Sequence, residues 1–495
     1  MGRWYLSAAT GMLSIGLFME PLNKTQAWAW RPAGGLLLVA LGALAWGLWR
    51  GGNASLWFDE ALTVSDAWHP RGVNHNPLFY GLIRVCVDSW GGLIDERGLR
   101  LLSAICALLS IPLCYFSLLP LAGERRSSWA SLLLALSPWA LYWATNARPY
   151  APGLLVILLG NALMLRALVC DAPRGAALGL VIMGLAGSLQ LSMLVAPLAL
   201  VVALVLGPAF GVDPAPRVRR MCLWAAPVIL LLGGLLFAGD LMVYLAQKAE
   251  IKGLSGLKHF ALAAGFALTP ILGLCALWGT WRARQEGQGL VCLFALATLL
   301  GALAVAGVGW FGQSTAQYAF CLLPWALLLA VWPLGERGGW IYGGVLVLPL
   351  LLLSGFEVGP WHGSRPRWRE AFAYVQAQRG PEDLVLSMQA GLGDLYTQPG
   401  WTDARYPVAH AWADRTQPMR LVDAARSDRP CWLILRRDFL LKWPDRWRSV
   451  LERILVQQAE CVQVFENLPL GRNMTLEVYR LFPLEERGGL ARVPF

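Results

Sequence analysis

A succession of long apolar segments occupies most of this chain and sets the kind of structure it can form. A helix needs roughly 20 mostly apolar residues to cross the hydrocarbon core of a membrane. Eleven such segments follow one another: Pro32 to Trp49, Leu99 to Leu121, Trp129 to Thr145, Tyr150 to Val169, Ala176 to Gln190, Leu191 to Phe210, Met221 to Gly239, Phe260 to Trp281, Gly289 to Trp310, Tyr318 to Leu334 and Trp340 to Phe356. A further short segment near the N-terminus, Trp4 to Met19, is an extra span, an interfacial helix or a signal-like segment. The sequence therefore predicts a polytopic α-helical membrane protein with 11 or 12 transmembrane helices.

The composition excludes an ordinary soluble protein. Apolar residues make up 57% of the 495 residues and charged residues only 15%, whereas about a quarter of a soluble domain is charged. The formal net charge of +10 does not indicate a nucleic-acid partner, because the part from Glu357 onward has 19 Lys and Arg against 17 Asp and Glu, which leaves +8 for the apolar part. In a membrane protein such basic residues mark cytoplasmic loops, and the expected partner is the lipid bilayer.

The ten cysteines do not indicate a metal site. They are scattered singly, with no CxxC or Cys/His ligand spacing, so neither a zinc site nor a disulfide framework is predicted. Two of them, Cys431 and Cys461, lie in the polar C-terminal part, and the sequence leaves open whether they form a disulfide.

The basic residues fall in every second loop, which predicts the orientation. The loops that carry them are assigned to the cytoplasm, and they contain Arg125 and Arg126, Arg174, Arg217 to Arg220, Arg282 and Arg284, and Arg337. By alternation the first loop (51–98) and the C-terminal part lie on the outer side. We therefore expect a transmembrane domain (1–356) and a soluble α/β domain (357–495) that is periplasmic if the membrane is a bacterial inner membrane, as analogy suggests.

Period changes predict the elements outside the spans. Residues Pro77 to Trp90 place apolar side chains at i, i+4 spacing, as in an amphipathic helix that lies in the membrane interface. After residue 356 the sequence predicts two helices, Arg367 to Gln378 and Pro444 to Val456, and four strands, Leu384 to Met388, Cys431 to Leu435, Cys461 to Glu466 and Thr475 to Leu481.

Two adjacent carboxylates, Asp59 and Glu60, stand out in the first loop. Apolar residues flank them, Leu56-Trp57-Phe58 before and Ala61-Leu62 after. At the headgroup level, desolvation would raise the pKa of a carboxylate and make it a better base. In an extended segment adjacent side chains point to opposite sides, so one carboxylate would face a reaction site while the other supports the loop. The alternative is a solvated acidic pair at the end of a span.

Further candidate residues lie on the same predicted side. Arg148 and Tyr150 close a short turn, where the guanidinium either holds a phosphate or reaches toward the membrane surface. His75 and Asn76 precede the amphipathic helix, and Asn76 is a substrate ligand or an N-terminal cap. Lys248, Lys252 and Lys258 add positive charge or are solvated loop residues. Candidates for a divalent metal are Asp95, Glu96 and His259, although acidic residues also favour a helix N-terminus.

The order of these motifs resembles that of the multi-span glycosyltransferases with the C-type fold. The resemblance rests on Asp59-Glu60, His75-Asn76-Pro77-Leu78-Phe79-Tyr80, Arg100-Leu101-Leu102-Ser103-Ala104, Ser137-Pro138 and Asn146-Ala147-Arg148-Pro149-Tyr150. These lie between about residues 50 and 155. The most similar subgroup contains bacterial proteins like the dolichyl-phosphate-mannose protein mannosyltransferases and the aminoarabinose transferase of lipid A.

The resemblance implies an activity and roles. It implies transfer of a sugar, with inversion, from a polyprenyl-phosphate-linked donor to a lipid, glycan or protein acceptor. Asp59 would be the base and Glu60 its supporting neighbour, while Arg148 would stabilise the departing phosphate. The family usually has Arg-Tyr where this chain has Gln317-Tyr318, so either Lys248, Lys252 or Lys258 supplies the missing charge or the donor differs. No cofactor is implied with certainty, since only some relatives bind a divalent metal.

Two other functions remain open from the sequence. A lipid or sugar flippase would be expected to carry ionisable residues near the bilayer midplane and inverted repeats, and no repeat is found. A catalytically impaired relative that acts in envelope polysaccharide assembly is the other, and the residue at Gln317 is its only indication.

Overall fold

The computed structural model of the chain combines a helical bundle with a small C-terminal sheet. It describes residues 30–52, 54–56, 60, 63, 76–89, 96–212, 216–224, 227, 261, 264–265, 268–311, 316–335, 339–358, 365–381, 383–387, 392, 396, 430–436, 445–466 and 475–482. The helices are α1 (Trp30–Gly51), α2 (Pro77–Ser89), α3 (Glu96–Leu136), α4 (Pro138–Ala144), α5 (Tyr150–Cys170), α6 (Pro173–Leu189), α7 (Val195–Leu206), α8 (Pro270–Gln285), α9 (Gly289–Phe311), α10 (Leu323–Val331), α11 (Gly339–Val358), α12 (Trp368–Gln378) and α13 (Asp445–Gln458).

Six of the described helices are long and apolar enough to cross a membrane. They are Gly34–Gly51, Glu96–Leu136, Tyr150–Cys170, Leu191–Phe210, Gly289–Val308 and Gly339–Glu357, and two shorter apolar helices are Pro173–Leu189 and Gln317–Val331. The predicted polytopic helical architecture is confirmed. Trp4 to Met19 and most of Met221 to Gly239 lie outside the described residues, so the total of 11 or 12 spans stays a prediction.

The longest helix joins two segments that the sequence analysis separated by a loop. Within α3 the backbone leaves the helical conformation at Gly123, where φ is 73° and ψ is 171°, so α3 consists of two helices joined at a kink. This left-handed φ suits glycine, because it has no Cβ. This break lies between the predicted spans Leu99 to Leu121 and Trp129 to Thr145, but it is shorter than the expected loop, because Arg125 and Arg126 lie on helical backbone. The second helical segment ends at Leu136, before the predicted end at Thr145. Ser137 then caps the separate helix α4 by accepting a hydrogen bond from the Ala140 amide at 3.4 Å.

Close backbone packing joins the neighbouring helices α5 and α6. A Cβ added to Gly160 would lie 2.7 Å from the Gly179 carbonyl oxygen, and one added to Gly179 would lie 2.8 Å from the Gly160 carbonyl oxygen. Small residues let membrane helices approach each other closely, because little hydrophobic driving force acts between helices in lipid. This contact fixes α5, whose first turn follows Arg148.

The C-terminal sheet contains the four predicted strands. In the described residues they are β1 (Leu384–Ser387), β2 (Cys431–Arg436), β3 (Ala459–Phe465) and β4 (Leu476–Leu481), and the sheet order is β1-β2-β4-β3. β1 pairs in parallel with β2, and the other two pairings are antiparallel. Alternate residues of β2 enter two apolar clusters: Trp432 and Ile434 pack with α12, whereas Cys431, Leu433 and Leu435 pack with α13.

The disulfide that the sequence left open is not present. Cys431 lies in β2 and Cys461 in β3, and β4 separates these strands. Neighbouring strands are about 4.8 Å apart, so the two residues are about two strand spacings apart, whereas Cα atoms joined by a disulfide lie within about 7 Å. Neither thiol forms a disulfide, and Cys431 is buried while Cys461 is exposed.

One apolar cluster connects the sheet to one end of the helical bundle. This end carries the first loop, and we call it the site end. It contains Leu56 of the loop, Phe79, Tyr80 and Ile83 of α2, Leu99, Ala147 and Leu189 of the bundle, and Trp368, Ala371, Phe372, Val375, Leu392, Trp432, Ile434, Leu476 and Val478 of the C-terminal part. The domain boundary at residue 356 stays a prediction. Buried apolar contacts cross it, so the two parts share a core at the site end.

Candidate active site

A buried ion pair lies at the centre of the site end. Glu60 is 0% exposed and Arg100, in the first turns of α3, is 2% exposed. Arg100 Nε donates to Glu60 Oε1 and Arg100 Nη2 to Glu60 Oε2, each at 2.7 Å. Two parallel bonds to one carboxylate are the geometry that a planar guanidinium favours. Glu60 has helical backbone, so the expectation of an extended segment was wrong at this residue.

Arg100 also holds the backbone that precedes the acidic pair. Its Nη1 donates to the carbonyl oxygens of Gly52 at 2.9 Å and Ala54 at 2.7 Å, and Nη2 donates to that of Ser55 at 3.2 Å. The charge is therefore solvated by carbonyl dipoles as well as by Glu60, which reduces the cost of burying it. One arginine thus ties both halves of the described loop to α3.

The same carboxylate joins the first loop to the turn between α4 and α5. Glu60 Oε1 accepts a hydrogen bond from the Ala147 amide at 2.8 Å. The next residue, Arg148, donates from Nη1 to Thr63 Oγ1 at 3.3 Å, and its carbonyl accepts from Ser103 Oγ at 3.1 Å. The two motifs that the sequence placed about 85 residues apart are thus in direct contact, as their shared predicted side requires.

Asp59 itself lies outside the described residues, as do His75, Asp95, Lys248, Lys252, Lys258 and His259. Their proposed roles stay predictions. The chain on both sides of Asp59 is described, however: Leu56 is 0% exposed and Glu60 is 0% exposed.

The other described candidates have structural contacts. The carbonyl of Asn76 accepts from the Tyr80 amide at 3.1 Å, as expected of the residue that precedes helix α2. Tyr150 is 1% exposed, and its ring stacks on Trp143 with centroids 3.9 Å apart. Gln317 and Tyr318 are half-buried in a 3-10 segment, Ala316–Leu322, that leads into α10.

Helix α2 has apolar side chains on two sides. Phe79 and Ile83 are buried in the cluster shared with the C-terminal part, while Leu78, Leu82 and Val85 are exposed. The helix predicted at 77–90 is present as Pro77–Ser89. Its exposed apolar side chains suit the predicted place at the membrane interface.

Glu96, a candidate metal ligand, bonds to the C-terminal part instead. Its Oε1 is 3.2 Å from Arg369 Nη1 and accepts from Tyr396 Oη at 3.3 Å. Among the described residues no group of three or more His, Cys, Asp or Glu side chains is placed to hold a metal ion. The described carboxylates therefore give no support to a metal centre.

Sequence reasoning missed Arg365, a residue that reaches the site from beyond the last span. Arg365 is 4% exposed, and its Nη2 donates to the carbonyl oxygen and to Oγ1 of Thr145 at 2.8 and 2.7 Å. Burial lowers the pKa of Arg365, and the neighbouring Arg100 lowers it further. Its position after α11 gave no signal, because a lone arginine there is typical of a solvated loop.

Comparison with known proteins bears on the fold. No protein-family model matches the chain, and no curated protein matches it in sequence. The structure is similar to the crystal structure of ArnT from Cupriavidus metallidurans bound to undecaprenyl phosphate, with a TM-score of 0.53 and 14% identity over 90% of this chain and 97% of that one. It is also similar to the archaeal oligosaccharyltransferase AglB from Archaeoglobus fulgidus in complex with an inhibitory peptide and a dolichol-phosphate, with a TM-score of 0.53 and 10% identity over 93% and 75% of the two chains.

The chain has the C-type glycosyltransferase fold. At these identities the similarity concerns the fold, and it confirms the fold that the order of the sequence motifs predicted. Residues 1–356 are less than three quarters of the chain, so a match over 90% of it also extends into the C-terminal part. The C-type fold, together with the six apolar helices, makes this a multi-pass membrane protein.

Proposed function

We propose that this protein is an inverting glycosyltransferase that moves a sugar from a polyprenyl-phosphate-linked donor to an acceptor at the outer face of the cytoplasmic membrane. The acceptor is a lipid, a glycan or a protein. The C-type fold and the undecaprenyl phosphate bound to the similar ArnT structure support the donor class. The predicted orientation puts the site end on the outer side, which is periplasmic in a bacterial inner membrane.

The observation that carries the proposal is the set of contacts that Glu60 and Arg148 make. Glu60 is held by Arg100 and by the Ala147 amide, and Arg148 is held against Thr63 of the same loop. A carboxylate base and a phosphate-binding guanidinium must sit at a set separation for an in-line displacement. The contacts join the loop that contains Asp59 to the turn that contains Arg148. The proposed reaction needs the side chains of these two residues.

In the proposed reaction Asp59 accepts the proton of the acceptor hydroxyl. The hydroxyl oxygen bonds to the anomeric carbon as the bond from that carbon to the phosphate oxygen breaks, and the polyprenyl phosphate leaves with the bonding electron pair. A positioned base contributes about 10²- to 10⁴-fold. Arg148 stabilises the charge that grows on the leaving phosphate, and the lysines at 248, 252 and 258 are further candidates for that task.

The test is a transfer assay on the purified full-length protein in nanodiscs. It uses a panel of polyprenyl-phosphate sugars and detects both transfer to added acceptors and slow hydrolysis. We expect turnover by the unmodified protein and at least a 100-fold loss in Asp59→Asn. A matched control is Glu452→Gln, which also changes a carboxylate to an amide, but on the exposed side of α13.

Two results would contradict the proposal. Equal turnover by Asp59→Asn and the unmodified protein would remove Asp59 as the base. Movement of a lipid-linked sugar across vesicles without cleavage of its phosphate bond would instead identify a flippase.

A further inference from the structure

The C-terminal part makes polar contacts with the loop residues that precede Asp59. Ser55 Oγ donates to Glu370 Oε2 at 3.0 Å and accepts from the Arg369 amide at 3.2 Å. Both partners belong to the first turn of α12, more than 300 residues along the chain. One hydroxyl of the loop is therefore held by both a side chain and the backbone of this helix.

A second contact engages the next loop residue through Tyr396. The Leu56 amide donates to Tyr396 Oη at 2.7 Å, and Tyr396 Oη donates to Glu96 Oε1 at 3.3 Å. Burial raises the pKa of Tyr396, and the negative Glu96 raises it further. The hydroxyl therefore stays protonated at physiological pH, so it donates to the carboxylate while it accepts from the amide.

Apolar packing surrounds this hydroxyl. Leu56 is 0% exposed and belongs to the same apolar cluster as Trp368 and Phe372 of α12. The ring of Tyr396 stacks against Phe372 with centroids 6.0 Å apart. A hydrogen bond in such a desolvated place is stronger than one at the surface, and a buried amide left without its acceptor is costly.

We propose that Tyr396 is a positioning residue for Asp59, and that Glu370 and Tyr396 of the C-terminal part together hold the loop residues that precede this proposed base. This inference rests on the proposed function. Asp59 follows Leu56 by three residues, which is at most about 11 Å of chain, and it precedes Glu60 directly. Leu56 is fixed by Tyr396 on one side of Asp59, and Glu60 is fixed by Arg100 on the other.

The first test needs no donor sugar. Hydrogen exchange of the full-length protein in nanodiscs is compared for Tyr396→Phe and the unmodified protein. Tyr396→Phe removes the acceptor of the Leu56 amide, so we expect exchange of the peptide containing Leu56 to rise about tenfold. The matched control is Tyr479→Phe, because Tyr479 is also buried in the C-terminal part but its hydroxyl donates to Glu477 at 2.7 Å. Unchanged exchange at Leu56 in Tyr396→Phe would overturn the inference.

The second test separates positioning from general stability. In the transfer assay we expect Tyr396→Phe to lower kcat about tenfold while KM for the donor changes less than about twofold, since the loop and not the donor site is loosened. Ser55→Ala, which removes a smaller group from the same loop, should lower kcat in the same direction, whereas Tyr479→Phe should keep it. In an Asp59→Asn background Tyr396→Phe should cause no further loss.

The outcomes distinguish this inference from the proposed function. If Asp59→Asn is inactive but Tyr396→Phe and Ser55→Ala both keep the kcat of the unmodified protein, the positioning role is wrong and the proposed function stands. If Asp59→Asn retains full turnover, the proposed base fails, whatever the exchange at Leu56 shows. If Tyr479→Phe loses as much kcat as Tyr396→Phe, the effect is one of general stability and the positioning role is again wrong.

Discussion

Removing one partner of the Arg100–Glu60 pair tests how the site end is held together. Two unit charges 2.7 Å apart attract by about 6 kcal/mol at an effective dielectric constant of about 20. Removing one partner of a buried pair costs about 3–5 kcal/mol, because the other charge stays buried. The carbonyls of Gly52 and Ala54 continue to solvate Arg100, so we expect Glu60→Leu to lie near 3 kcal/mol and Arg100→Met near 5 kcal/mol.

A double variant provides the decisive comparison. Glu60→Leu combined with Arg100→Met removes both charges and refills the volume with apolar side chains, so it should destabilise the protein by less than the sum of the two single changes. The assay is the fraction of monodisperse protein after a graded heat challenge in detergent. As a control, Glu452→Gln breaks an exposed pair with Arg448, 3.9 Å apart, and should cost less than about 1 kcal/mol.

The reasoning would be refuted in either of two ways. Single variants as stable as Glu452→Gln would mean that the pair contributes no more than a surface ion pair. A double variant whose loss equals the sum of both single losses would mean that the two side chains act independently, in spite of the bidentate contact.

Arg148, the cysteines and Tyr396 each allow a further test. Arg148→Ala should lower turnover by about 100-fold or more, and Arg148→Lys by less, because the ammonium keeps the charge but not the planar fork; single-turnover rates measure both. An impermeant maleimide applied to intact cells should label Cys461, which is exposed. It should not label Cys170, which is exposed at the predicted cytoplasmic end of α5. It should also not label Cys431, because burial raises the pKa of that thiol to about 12. Labelling of Cys170 alone would reverse the predicted orientation. The pKa of Tyr396 is higher in the folded than in the unfolded chain. The contribution of Tyr396 to stability is therefore complete below about pH 10 and is lost as the pH rises further. In heat-challenge profiles, Tyr396→Phe should weaken this loss of stability at alkaline pH.

Local patterns predicted the parts of the structure that depend on local physics. The 3.6-residue and 2-residue periods located α2, α12 and the four strands, because burial of one face is visible in the sequence. The break expected between residues 121 and 129 is present at Gly123, but it occupies a single residue, and the backbone on both sides is helical. The basic residues at 125 and 126 therefore lie in the first turn of the second helix and not in a loop.

The site could be predicted only where its residues share a motif. Arg100 and Arg148 belong to the ordered motifs of the first 155 residues, and both lie at the site end. Tyr396 and Arg365 reach it from the C-terminal part, 296 and 265 residues beyond Arg100. Contacts over such separations depend on how the sheet and α12 pack on the bundle, and no periodicity records that arrangement.

The contacts of Glu60 and Glu96 bear on the choice of Asp59 as the proposed base. The sequence offered Glu60 as a second catalytic group, but its Oε1 accepts from both Arg100 and the Ala147 amide, its Oε2 accepts from Arg100, and the side chain is 0% exposed. A general base must come within about 3 Å of the hydroxyl that it deprotonates, and a carboxylate enclosed in this way has no route to one. Glu96 is 9% exposed and binds Arg369 and Tyr396. Glu60 and Glu96 therefore hold chain segments together, as the supporting role predicted for Glu60 requires, and Asp59 stays the proposed base. Glu60→Gln then makes a sharp comparison with Asp59→Asn: it should reduce stability and loop order, with a partial loss of turnover, whereas Asp59→Asn should abolish turnover in a protein of unchanged stability.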